Sequence, residues 1–123
     1  MSKNTPNPTE VNLHQKSRKL ELAFDNGSRF ELPCEFLRVY SPSAEVRGHG
    51  PGQEVLQIGK ENVNIEKIEP VGNYAIQLYF DDGHNTGIYS WETLYNMGKH
   101  QEELWQEYLR RLNEAGHKRK QPS

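Results

Sequence analysis

Seven consecutive residues, Tyr74-Ala75-Ile76-Gln77-Leu78-Tyr79-Phe80, put Tyr74, Ile76, Leu78 and Phe80 at a period of two. A helix would scatter those four side chains around its axis, whereas an extended strand lines them up on one face against a core. The run commits the chain to a sheet. Asp81-Asp82-Gly83-His84 follows as a turn and residues 86–90 return, with residues 64–71 available as a further strand before the break at Gly72-Asn73. A second hairpin lies nearer the amino terminus. Lys19-Leu20-Glu21-Leu22-Ala23-Phe24 alternates, Asp25-Asn26-Gly27-Ser28 turns, and Arg29-Phe30-Glu31-Leu32 alternates again. Asn-Gly suits such a turn because both positions tolerate positive φ. An edge strand over residues 11–14 is expected to join it.

The period changes after Pro33. Phe36, Leu37 and Tyr40 share one face of a short helix, and Ser41-Pro42 reads as the cap and first position of another helical turn. The next six residues, Arg47-Gly48-His49-Gly50-Pro51-Gly52, form a loop with no core-forming side chain. Ser90 caps a helix beginning at Trp91 that Gly98 is expected to end. Leu104, Trp105, Tyr108, Leu109 and Leu112 form the apolar stripe of a last helix over residues 101–115, with Gly116 as its stop. The prediction is an α+β fold: small antiparallel β-hairpins or sheets, a short helix after the first hairpin and two C-terminal helices. Helices are expected near residues 35–46, 91–97 and 101–115. No internal repeat stands out.

At 123 residues, 33% hydrophobic and 26% charged, the chain has material for one thin core. Residues 1–10 and 116–123 are expected to be flexible tails, the second of them basic, around one domain over residues 11–115. The formal net charge of −2 supplies no field for nucleic acid or an anionic membrane. The run His117-Lys118-Arg119-Lys120 is basic, but no aromatic residue interleaves it as base stacking would require, and a solvated tail explains it. Cys34 is the one cysteine, no signal-peptide core opens the chain, and no stretch is long enough to cross a bilayer. A monomer in the reducing cytoplasm is expected.

The residues that carry chemistry are sparse. The glycines of residues 48–52 precede Gln53 and Glu54 rather than the lysine and hydroxyl of a phosphate loop. Cys34 has no neighbouring histidine in the sequence, and Ser41, Ser43 and Ser90 read as helix caps. His14, His49, His84, His100 and His117 form no helical metal pair. His84, in a turn beside Asp81 and Asp82, is placed either for a metal ligand or for a solvated side chain. No acid, base and nucleophile can be brought together from the sequence, and no enzyme is expected.

Leu37-Arg38-Val39-Tyr40-Ser41-Pro42-Ser43-Ala44-Glu45-Val46 with Gly48-His49, and the later Phe80-Asp81-Asp82-Gly83-His84-Asn85-Thr86-Gly87-Ile88-Tyr89-Ser90-Trp91, resemble the gamma-butyrobetaine hydroxylase-like N-terminal domain family, in its small stand-alone bacterial members. The resemblance runs from about residue 19 to residue 112. It implies a domain that elsewhere precedes an iron- and 2-oxoglutarate-dependent oxygenase domain, or accompanies P-loop ATPases that carry iron–sulfur clusters. It also implies a structural Cys₃His zinc site in the oxygenases. Here the three cysteine positions fall on Ser41, Ser43 and Val46, and only His84 keeps a ligand. Serine hydroxyls are poor zinc ligands and valine is none, so the structural zinc is expected to be absent.

The expected function is therefore a non-enzymatic accessory module that docks on a protein partner, linked by the resemblance to iron or iron–sulfur metabolism. Its expected surface is Arg38, Ser41, Ser43, Arg47, His49, Asp82 and His84. The competing reading is a metal-binding protein that holds iron or zinc weakly through His84 and His49, with Asp81, Asp82 or Glu45 as a third ligand.

Overall fold

A computed structural model of the protein describes residues 5–48 and 54–119. The first sheet is antiparallel in the order β1 (Pro8–His14), β2 (Lys19–Phe24), β3 (Arg29–Pro33). Two short helices follow, α1 (Cys34–Val39) and α2 (Ala44–Arg47). The second sheet is antiparallel in the order β4 (Ile65–Val71), β5 (Ala75–Phe80), β6 (Ile88–Ser90), and α3 (Trp91–Lys99) and α4 (Gln101–Glu114) close the chain. The α+β fold expected from the periodicities is the one observed. No helix among the described residues is long and apolar enough to cross a membrane.

The alternation that predicted β5 is obeyed by Ile76, Leu78 and Phe80, all buried. Tyr74 departs from it. It precedes the strand and is 59% exposed, its ring near Gly72, whose φ of +55° makes the turn. Strand β1 begins at Pro8, inside the expected tail, and β6 is shorter than residues 86–90.

The two sheets repeat each other, contrary to the reading of the sequence. Phe24-Asp25-Asn26-Gly27-Ser28 and Phe80-Asp81-Asp82-Gly83-His84 make the same turn with the same bonds. Gly27 N–H donates to the Phe24 carbonyl at 3.0 Å and Gly83 N–H to that of Phe80 at 3.2 Å. Phe24 and Phe80 N–H donate to the Ser28 and His84 carbonyls at 2.9 and 3.0 Å. The Asp25 carboxylate accepts from Asn7 N–H at 3.2 Å, and that of Asp81 from Asn64 N–H at 3.0 Å. Gly27 and Gly83 sit at φ +88° and +92°, a conformation that costs glycine little. Both first strands carry a register shift at their start, between Pro8 and Glu10 and between Ile65 and Lys67. Each third strand runs directly into a helix, with Pro33 at the N-cap position in one unit and Ser90 capping the other.

The two units clasp each other reciprocally. The third turn residue of one reaches the fifth residue past the cap of the other: Asn26 Nδ2 donates to Tyr95 Oη and Arg38 Nε donates to Asp82 Oδ2, both at 2.9 Å. Leu20, Leu22 and Phe24 of one core face match Ile76, Leu78 and Phe80 of the other, and these merge into one cluster with Leu32, Leu37, Tyr89 and Leu94.

The same correspondence explains why Gly98 lies inside α3 instead of ending it. A Cβ at Gly98 would strike the Phe30 ring, so the glycine lets strand β3 pack against the helix. Ser90 caps α3 as expected, accepting from Thr93 N–H at 3.1 Å. Helix α4 ends in a Schellman turn: Gly116, φ +79°, donates to the Asn113 carbonyl and His117 N–H to that of Leu112. The chain then turns back, and Arg119, expected in a flexible tail, pairs with the buried Glu35 at 2.6 Å.

Candidate functional site

The segment from α1 to α2 and the turn after β5 meet in a polar corner. The expected cap of α2 was Ser41, with Pro42 at its first position. Ser43 takes that role instead, accepting from Glu45 N–H at 3.2 Å. Ser41 is thereby released for the corner. Its Oγ accepts from Ser43 N–H at 3.2 Å and lies 2.9 Å from His84 Nε2. His84 Nδ1 lies 3.0 Å from Glu45 Oε1. An ionised carboxylate can only accept, so Nδ1 carries the proton and the Ser41 hydroxyl donates to Nε2. Thr86 Oγ1 donates to the same Glu45 oxygen at 3.2 Å and lies 2.7 Å from Ser43 Oγ, which donates to it. Every hydroxyl and both ring nitrogens are satisfied within the corner.

Beside this network lies an ion cluster. Asp82 accepts from Arg38 Nε at 2.9 Å and Lys60 Nζ at 2.7 Å, while its other oxygen accepts from His84 N–H at 3.1 Å. Burial pushes the Asp82 carboxyl up, but the donors from Lys60, His84 and Arg38 outweigh it and hold it at about 2. Burial and the neighbouring Arg38 charge push His84 below the ordinary imidazole value, against the pull of Glu45. His84 is thus neutral at neutral pH, the state in which the Ser41 hydroxyl donates to Nε2. Arg38 Nη1 is buried without a partner among the described residues.

Ser41, His84 and Glu45 stand in the hydrogen-bond order of a nucleophile, a base and an orienting carboxylate. No such constellation could be assembled from the sequence, because its members are 43 and 39 residues from His84. The Ser41 hydroxyl is nonetheless enclosed. Ser41 is 1% exposed, and its Oγ abuts Gly87, where even a Cβ would come within 2.5 Å. A substrate carbonyl needs more room than that at the hydroxyl.

The sequence-predicted residues divide sharply. Arg38, Ser41, Ser43 and His84 come together but are buried, so their side chains support the surface rather than form it. Asp82 joins them from the rim, and Arg47 is exposed at the end of α2. His49 lies outside the described residues. Of the positions corresponding to zinc thiolates, Ser41 and Ser43 spend their oxygens on internal hydrogen bonds, and Val46 offers no donor and is buried. This donor set does not fit a Cys₃His zinc site. Among the described residues no group of three or more His, Cys, Asp or Glu is placed to hold a metal ion. Cys34 is buried, its thiol pushed up to about 11 by burial, which leaves it unreactive at neutral pH.

Sequence reasoning missed Thr86, Lys60 and Tyr89. Tyr89 is fully buried, donates to the Leu37 carbonyl at 2.6 Å and so ties β6 to α1. Its alternation with Gly87 in the run 86–90 was the available signal. Beside the corner opens a cleft of about 460 Å³, with Val39, Met97 and Leu104 among its apolar lining and Arg47, Glu107 and Arg111 among its charged residues.

Fold and corner together define a class: a small α+β domain of two matching βββα units, closed on one side by a histidine-centred hydrogen-bond network. The chain belongs to the family described as gamma-butyrobetaine hydroxylase-like, N-terminal, whose profile matches residues 11–95. A solution NMR structure is similar over 100% of this chain and 92% of its own, at 54% identity and a TM-score of 0.84. A second is similar over 98% and 94%, at 44% identity and a TM-score of 0.81. A crystal structure of a protein of unknown function of the DUF971 family from Acidithiobacillus ferrooxidans matches 79% of this chain and 98% of its own, at 37% identity and a TM-score of 0.65. No curated protein matches.

Proposed function

We propose that the protein is a non-enzymatic accessory module that docks a protein partner in the cleft beside the polar corner. One observation carries the reading: the corner is satisfied internally and its hydroxyl is sealed, while the adjacent cleft joins an apolar lining to the charges of Arg47, Glu107 and Arg111. Such a mixture suits protein recognition, in which apolar burial supplies affinity and the rim charges supply register. In this reading Ser41, Ser43, Glu45 and His84 hold α2, and with it Arg47, in place. A role in iron or iron–sulfur metabolism, in the cytoplasm, is part of the proposal and rests on the company this domain keeps in the family.

The test is affinity capture by the full chain after brief cross-linking, with Arg47→Glu and Arg111→Glu beside the wild type. The expected result is a partner retained by the wild type and lost by both variants. A partner profile unchanged in both would sink the docking face.

The competing reading, iron or zinc held by His84 and His49, draws support from the nitrogen–oxygen pair of His84 and Glu45 at 3.0 Å. It requires the contact at one ring nitrogen of His84 to open, such as that of Nε2 with Ser41. Titration of untagged protein with Fe²⁺ and Zn²⁺ decides it: stoichiometric binding tighter than about 1 μM, lost in His84→Ala, would replace the docking reading.

A further inference from the structure

We propose that Glu35 and Trp105 form a guanidinium-recognition site, which the chain's own Arg119 occupies and an arginine side chain of a partner segment can enter in its place. Glu35 is the second residue of α1, and only 6% of its side chain is exposed. Arg119, 84 residues away, supplies its counter-charge: Nε donates to both carboxylate oxygens at 2.9 and 2.8 Å, and Nη2 donates to Oε1 at 2.6 Å. The guanidinium also lies over the Trp105 ring, 5.4 Å from its centroid. A planar cation that both forks onto a carboxylate and stacks on an indole is an arginine, and a lysine ammonium can do neither as well.

The repeat isolates what makes this a built site. Glu92 stands at the equivalent place on α3, as its second residue, and is exposed to water. Glu35 is enclosed because α4 brings Trp105 over α1, where Phe36 meets the Trp105 ring edge-on at 6.4 Å. The occupant, by contrast, reaches the site from outside any helix or strand. Past the Schellman turn, His117 and Lys118 are exposed, and Arg119 is the residue of that stretch whose side chain reaches inward. Open clefts flank the occupied position. One, of about 380 Å³, includes Ile58, Asn62 and Tyr108, and another, of about 190 Å³, includes Ser17, Arg18 and Val63. A partner segment that places its arginine on Glu35 therefore finds room for its neighbouring residues on both sides. None of these groups belongs to the docking cleft beside the polar corner, so this inference stands apart from the proposed function.

The experiment uses the full chain and N-acetyl-arginine methylamide as the probe, with the lysine analogue as control. In Arg119→Ala the vacated carboxylate should take the arginine analogue, raising the melting temperature and shifting the Trp105 indole resonance. The lysine analogue should act about tenfold more weakly, and Glu35→Gln/Arg119→Ala should respond to neither. The wild type gives a readout that does not depend on the variant folding. Its Arg119 Nε–H resonance should be displaced only when the probe exceeds the effective concentration of the tethered tail, on the order of millimolar. Equal response to the two analogues, or an Arg119 resonance indifferent to the arginine analogue on the order of 100 mM, would overturn the proposal.

Discussion

The turns after β2 and β5 have the same backbone, the same glycine conformation and the same aspartate bonded to the start of the first strand of each unit. What they support differs. Around the first turn, Phe24, Phe30 and Tyr95 stack edge to face with centroids 5.1 to 6.0 Å apart, and Gly98 makes way for the Phe30 ring. Around the second, the large and small positions are exchanged. Gly87 stands where Phe30 does and Ser41 where Gly98 does, and His84, Glu45 and Thr86 supply hydrogen bonds in place of rings. One frame thus closes its two corners by opposite means. An aromatic corner is non-directional and tolerates loss of one polar contact. A polar corner depends on its specific partners, because each buried group left alone retains its desolvation cost.

That contrast predicts unequal responses at equivalent positions. Asp82→Ala strands Arg38, whose side chain is 9% exposed, and should destabilise the fold by about 2–4 kcal/mol, whereas Asn26→Ala should cost under about 1 kcal/mol. Chemical denaturation of both variants measures the difference, and equal losses would erase the distinction between the corners. Next in size is Gly98→Ala. Overpacking against Phe30 should outweigh the improved helix propensity and cost about 1–2 kcal/mol, with most of that loss absent when Phe30 is already leucine. A double-mutant cycle reads this coupling directly.

The smallest effect is in pH. His84 binds its proton less readily in the fold than in the unfolded chain, so the unfolded state gains protons first as pH falls. The stabilisation is complete above the unfolded value of about 6.5 and is lost progressively below it. Melting curves from pH 7.5 to 5 should therefore converge for wild type and His84→Gln as the pH drops. Parallel curves would mean that His84 is not held neutral.

Much of this architecture was legible. Ile76, Leu78 and Phe80 announced β5, Ser90 announced α3, and Gly116 announced the end of α4, because each rests on a local rule of periodicity, capping or positive φ. The repeat escaped notice because its most informative correspondences join unlike residues. Phe30 matches Gly87, Ser41 matches Gly98, and Arg38 matches Tyr95, since each pair is set by what packs across from it. Four of the residues expected on the docking surface are buried for a related reason. Arg38, Ser41, Ser43 and His84 look like surface residues by type, and burial became tolerable only once each found its partner in a distant segment.

By itself the sequence determined the strands, the turns and the apolar stripe of α4, along with the family whose profile it matches. Those features depend on spacing along the chain, and spacing is visible without a fold. Only the tertiary structure decided that two units clasp each other, that Ser41, His84 and Glu45 share one sealed corner, and that Arg119 closes over Glu35. Each of these joins groups at least 39 residues apart, and their hydrogen bonds exist only when the intervening chain has already packed.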